Sequence, residues 1–251
     1  ALIARERLML NLTCDQAIAD RARPILASFL GGLPAAPAAV SLAPGSATGI
    51  GTPEQVPPAP TRLEALVVST NVNFAAVSVP ASAFGTEESV QETVLAHFLS
   101  TGFLWKEVRV KGGAYGAGAA ASGLERIFAF TSYRDPHTGR TLEAFRQALL
   151  SARDNSPEES EFEQILIGAV GREDKPLAPG EKGFVSLKRR LLGITDELRQ
   201  SRRDRLLAAA REDLSAAASR LLAVYDRSFS VVLSSRQAIR GLEATVIEIP
   251  D

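Results

Sequence analysis

The chain has 251 residues, 45% of them hydrophobic, with 28 basic and 29 acidic side chains and a formal net charge of -1. That balance suits one large or two small soluble globular domains and offers no basic field for nucleic acid or an anionic membrane. No run of about 18 apolar residues occurs to make a transmembrane helix, and the single cysteine, Cys14, excludes an internal disulfide. Ala1 in place of methionine, with no signal-peptide pattern behind it, is expected of a fragment of a longer protein. The alanine-rich composition and lone cysteine point to a bacterial, cytoplasmic setting.

The first element is a strand-like "RLMLNLT" (7–13), followed by a helix-like "DQAIADRARPILASFLGG" (15–32) capped by Asp15 and stopped near Gly31. Cys14 between them reads as a small buried apolar residue. Asn11-Leu12-Thr13 matches a glycosylation sequon, read as chance in a strand. About 33 residues cannot make a core alone, so 1–33 is expected to be the tail end of a preceding α+β domain. Residues 34–62 are a connector. Seven of the 14 prolines fall there, Pro34, Pro37, Pro44, Pro53, Pro57, Pro58 and Pro60, and proline can neither donate to a ladder nor sit in a central strand.

Residues 63–251 form the main domain. "LEALVVS" (63–69) and "NVNFAAVSV" (71–79) are β-rich and hairpin-like. "TEESVQETVLAHFLSTG" (86–102) is a helix, with Glu87 and Glu88 at its positive end and Val90, Val94 and Phe98 on one face. "LERIFAFTSY" (124–133) alternates like a half-buried strand, and "TLEAFRQALLSAR" (141–153) aligns Leu142, Phe145 and Leu149 as a helix. "SPEESEFEQILIGAV" (156–170) opens with a Ser156–Glu159 capping box and Pro157 at the first helical position. "EKGFVSLKRRLLG" (181–193) aligns Phe184, Leu187 and Leu191; two more helices fill about 196–223, and "RSFSVVLSS" (227–235) closes as a strand. Strands first and helices after predict an α+β fold, an antiparallel sheet covered by helices on one face. The basic residues from Lys188 to Arg205, interrupted by Asp196, Glu197 and Asp204, read as a solvated helical face.

"RVKGGAYGAG" (109–118) admits three readings. Residues 116–121 fit a relaxed dinucleotide-binding pattern with Asp135 as a ribose acid, but that chemistry needs a following helix and a strand follows instead. Gly112, Gly113, Gly116 and Gly118 could form a bulge or tight crossing, with Tyr115 in the core. Alternatively this is a ligand-facing strand end, where missing β-carbons let another backbone approach, a tyrosine hydroxyl can donate to a developing oxyanion, and an arginine can bind carbonyls or a carboxylate. Phe103 and Trp105 read as core, or as packing behind Tyr115. His97, within a helix, reads as a packing residue, and His137 as a solvated turn residue.

"LWKEVRVKGGAYGAG" followed by "FAFTSYRDPHTGRTLEAF" resembles the C-terminal half of insulinase/pitrilysin-type zinc metallopeptidases, most closely the presequence-protease branch, in which R-x-K-G-G-A-Y-G and S-Y-R-D-P recur together. "EKGFVSLKRRLLGITDELRQSRRDRLL" resembles the helical segment that follows in that branch, and "LMLNLTCDQ…FLGGLP" the end of the preceding domain. The resemblance implies two clamshell halves closing around unfolded peptides, with zinc held by H-x-x-E-H and a distant glutamate in the N-terminal half. Position by position it implies catalytic roles for Tyr115, at the scissile carbonyl, and Arg109, holding substrate backbone. It places Lys111, Gly112 and Gly113 along the bound peptide, the glycines keeping that wall flat. This chain has two histidines and no H-x-x-E-H, so zinc ligands are expected outside it. The fragment is expected to be inactive alone, partnered by peptide substrates and by the N-terminal half of its own polypeptide. A non-catalytic, peptide-binding or scaffolding relative of the same fold is the alternative.

Overall fold

The computed structural model describes residues 4–35, 62–173 and 176–249. The connector expected over 34–62 lies almost wholly outside them. The chain divides into two compact units, Ala1–Gln55 with Lys175–Asp196, and Val56–Asp174 with Glu197–Asp251.

In the first unit a 3-10 turn, Arg5–Arg7, precedes α1 (Gln16–Gly31), and α5 (Pro179–Leu191) belongs to the same unit. Asp15 caps α1 as expected, its carboxylate accepting from the Ile18 N–H at 2.8 Å, and the helix ends at Gly31. The strand expected over 7–13 does not form among the described residues. Leu8, Met9, Leu10 and Leu12 are exposed, and a strand without a neighbour has nowhere to send its backbone hydrogen bonds. Cys14, expected inside, is exposed for the same reason. The aligned apolar face of α5 is also uncovered: Phe184 is 61% and Leu191 57% exposed.

The second unit carries a six-stranded sheet of β1 (Arg62–Val67), β2 (Asn73–Pro80), β3 (Gly116–Ser122), β4 (Ile127–Asp135), β5 (Phe229–Ser234) and β6 (Thr245–Glu248), in the order β3-β4-β2-β5-β1-β6. The β3–β4, β4–β2 and β2–β5 ladders are antiparallel, while β1 runs parallel to both β5 and β6. The hairpin expected between β1 and β2 is therefore absent. Alternating burial, clean in β2, shows which side chains face the core and says nothing about which strand lies alongside. β5 enters between the two, and β6 adds an edge beyond β1.

Five helices complete this unit: α2 (Glu87–Thr101), α3 (Gly139–Asp154), α4 (Glu159–Glu173), α6 (Asp196–Leu207) and α7 (Arg211–Ala223). They bear out the α+β assignment, with one core between helices and sheet. Phe128 of β4 meets Phe130, which stacks on Phe145 of α3 at 5.3 Å, and Leu95, Leu99, Leu149, Leu214 and Leu221 lie in the same core. α2 starts as expected, the Thr86 hydroxyl accepting from the Ser89 N–H at 3.2 Å. α4 starts three residues past Ser156 rather than one, because Glu159 turns instead to Arg211 (3.0 Å), whose guanidinium also donates to the Pro157 carbonyl. Arg202 departs from the expected solvated face. It is 9% exposed, donates to Glu173, Ser89 and Thr93, and stands over the Phe84 ring.

Candidate functional site

The site grows from the end of α2. Past Gly102, residues Trp105–Val110 widen into a π-helical turn, with the Lys111 N–H donating five residues back to the Lys106 carbonyl at 3.0 Å. Such turns are rare and concentrate at functional sites. The glycines then end it. Gly113 N–H donates to the Arg109 carbonyl at 3.0 Å and Ala114 N–H to that of Val108 at 3.2 Å. A Cβ at Gly112 would overlap the Val108 carbonyl oxygen. Gly113 has φ +80°, a left-handed conformation that costs other residues energy. Ala114 is buried, so the next side chain emerges into solvent.

That side chain is Tyr115, 68% exposed, which removes the reading that puts it in the core. Its N–H donates to the Arg134 carbonyl at 3.3 Å, and its ring meets Tyr133 edge-on, centroids 5.8 Å apart at 68°. Arg109, half-buried, lays its guanidinium over Trp105 at 3.8 Å. Trp105 is thus an exposed platform, 47% accessible, and neither core nor a backing for Tyr115. Lys111 pairs with Glu107 at 2.7 Å; both are exposed enough for the pair to contribute little. The five residues expected at the site, Arg109, Lys111, Gly112, Gly113 and Tyr115, all lie on this one turn and the loop that ends it.

Beside the turn runs an open groove of ≈ 560 Å³ whose walls include Ser100, Trp105, Gly118, Ala120, Thr131 and Arg172. It follows β3, the sheet edge. The Ser100 hydroxyl accepts from the Ala119 N–H at 2.8 Å, so part of that edge is already satisfied within the chain. The dinucleotide reading fails here. β3 turns back into a strand, and Asp135 is fully buried, its carboxylate accepting from the Thr141 hydroxyl and the His137 N–H, each at 2.8 Å. The Asp135 carbonyl accepts from the Asn73 amide at 2.8 Å. From the sequence, Tyr133 and Arg134 had no assigned role, and Asp135 only the ribose role that fails here, although all three stand inside the S-Y-R-D-P motif.

Neither histidine belongs to a metal cluster. Among the described residues no group of three or more His, Cys, Asp or Glu is placed to hold a metal ion, so zinc does not fit the residues present. His97 of α2 packs against the α4 backbone where Gly168 leaves room for the imidazole. Burial, with the Arg172 charge second, holds its pKa below the ordinary value. His137 is half-buried, not solvated.

A family model described as PreP C-terminal domain matches residues 63–236. The chain belongs to the PreP C-terminal domain family. "Presequence protease 1, chloroplastic/mitochondrial" of Arabidopsis thaliana is 30% identical over 239 residues, covering 95% of this chain and 21% of that protein. "Presequence protease, mitochondrial" of Danio rerio is 36% identical over 163 residues, covering 65% and 16%. Among solved structures, the peptidase M16 inactive domain from Pseudomonas fluorescens superposes with a TM-score of 0.59 at 14% identity, over 92% of this chain and 53% of that one, a likeness of fold alone. The resemblance to the presequence-protease branch of the insulinase/pitrilysin family therefore holds, and the chain spans about a fifth of the length of its Arabidopsis relative. The expected bacterial cytoplasmic location is corrected: these curated relatives are mitochondrial or chloroplastic, and composition alone carries no address.

Proposed function

We propose that this chain is the substrate-binding, non-zinc-ligating C-terminal part of a zinc metallopeptidase that degrades unfolded peptides in a closed chamber. Its zinc ligands lie outside the chain, in the N-terminal half of the same polypeptide, with residues 1–33 ending the preceding domain, 34–62 connecting and 63–251 forming the C-terminal domain. The observation that carries this reading is the exposure of Tyr115 at the end of a loop that also presents Arg109.

Tyr115 donates its phenolic O–H to the scissile carbonyl oxygen as charge develops there. Arg109, its guanidinium held over Trp105, offers a fork of N–H donors to the carbonyls of the bound peptide. Lys111, Gly112 and Gly113 border the same path. In the full-length protein, Tyr115→Phe lowers kcat roughly 10- to 1000-fold with KM little changed, because an oxyanion donor acts mainly in the transition state. Arg109→Lys does not rescue Arg109→Ala, since a point charge neither forks nor lies flat on an indole. Steady-state kinetics on a quenched peptide reads both. Unchanged kcat in Tyr115→Phe removes Tyr115 from the chemistry, whereas a full-length protein that binds the peptide without cleaving it is the non-catalytic, peptide-binding relative.

A further inference from the structure

Tyr115 presents a problem of control. With 68% of its surface exposed, its side chain would have a choice of staggered rotamers, yet a catalytic donor must be held near one position. Among the described residues, the aromatic ring that meets it is that of Tyr133. Tyr133 is itself held from two sides: the Phe74 ring stands edge-on at 5.3 Å and 76°, and the Arg134 guanidinium lies 5.5 Å from its centroid.

The backbone beneath is fixed as firmly. Arg134 has φ +47°, unusual for a residue with a side chain, where the β2–β4 register shifts between Asn73 and Ala75. That kink aims the Arg134 carbonyl at the Tyr115 N–H. Asp135, buried and fully engaged with Thr141, His137 and Asn73, anchors the kink in the core. Pro136 lies 3.5 Å from where a Cβ on Gly113 would stand. Ring and backbone of Tyr115 therefore both rest on residues 133–136.

We propose that Tyr133 is a positioning residue for Tyr115, acting through its ring and not its hydroxyl. This rests on the catalytic reading of Tyr115 above. The test is a double-mutant cycle in the full-length protein with a quenched peptide. Tyr133→Ala lowers kcat roughly 10-fold or more, as small displacements of a catalytic group do. KM stays within about twofold in Tyr133→Ala, and kcat stays within about twofold in Tyr133→Phe, if the ring alone positions a transition-state donor. Added to Tyr115→Phe, Tyr133→Ala causes no further loss, because its effect passes through the missing hydroxyl. Tyr133→Leu, which keeps apolar bulk on Phe74, is the second variant: it also loses kcat and couples to Tyr115→Phe while its thermal midpoint matches that of Tyr133→Phe. Normal kcat in the alanine and leucine variants, or losses that add to that of Tyr115→Phe, overturn the proposal while leaving Tyr115 catalytic. A Tyr115→Phe protein with normal kcat overturns the catalytic reading and this inference together.

Discussion

A β-carbon at position 112 has no room, because the Val108 carbonyl oxygen occupies its place and the Glu107 carbonyl oxygen lies 3.1 Å away. Backbone cannot swing aside as a side chain can. Gly112→Ala should therefore destabilise the fold by about 1–3 kcal/mol, the range for overpacking a close-packed interior, and should loosen the turn that carries Arg109. Gly118→Ala is the control: its new methyl would meet only the Ser100 hydroxyl, at an ordinary 3.5 Å. Urea midpoints of the two variants read the difference, and equal midpoints would return Gly112 to a merely conformational role. The density of glycine at 112–118 was legible in the sequence. That Gly112 answers to crowding and Gly113 to a positive φ was not, because both depend on a π-helical turn that leaves no mark in residue type. Tyr115 could be picked out as a candidate, but its exposure could not, since tyrosine suits core and surface alike.

Single elements were read best where their signals are local. Asp15 and Thr86 cap α1 and α2 because a short oxygen-bearing side chain can reach the free N–H groups of the first turn wherever it stands. The α4 start failed for the opposite reason: Arg211, more than fifty residues on, competes for Glu159. Arg202 makes the same point with a larger stake. A run of basic residues on α6 looked solvated, yet this one guanidinium ties α6 to Glu173 at the end of α4 and to Ser89 and Thr93 of α2. Arg202→Ala would leave Glu173 without its partner and empty a buried space, so a loss of roughly 2–4 kcal/mol is expected, reduced from the fully buried case because Glu173 is partly exposed. Arg202→Lys should recover only part, as one ammonium lacks the planar fork that reaches Glu173, Ser89 and Thr93 together. Chemical denaturation of the three proteins measures this; an alanine variant as stable as the parent would mark Arg202 as a surface residue in effect.

For the molecule as a whole, the covering of one sheet face by helices followed from element order, whereas strand neighbours did not, because period-two burial is identical for a parallel and an antiparallel partner. The division of labour proposed here also makes a whole-molecule prediction. The purified chain binds no stoichiometric zinc and cleaves no peptide, and mixing it with the separately expressed N-terminal part restores cleavage, with a concentration dependence set by their affinity. A tether between such parts mainly raises effective concentration, to the order of mM when short and flexible. Zinc analysis and a titration with a fluorogenic peptide, both parts shown folded by circular dichroism, decide it; zinc and activity in the chain alone would overturn the assignment. Uncovered apolar residues such as Ile25, Phe29 and Phe184 should meanwhile make the isolated chain self-associate. The sheet order carries one more consequence, for synthesis. β1 lies between β5 and β6, so on the ribosome it has no sheet neighbour until the chain has grown to residue 229. Until then both its backbone edges, and one edge of β2, wait unpaired, a late-closing topology of the kind that folds slowly and draws on chaperones.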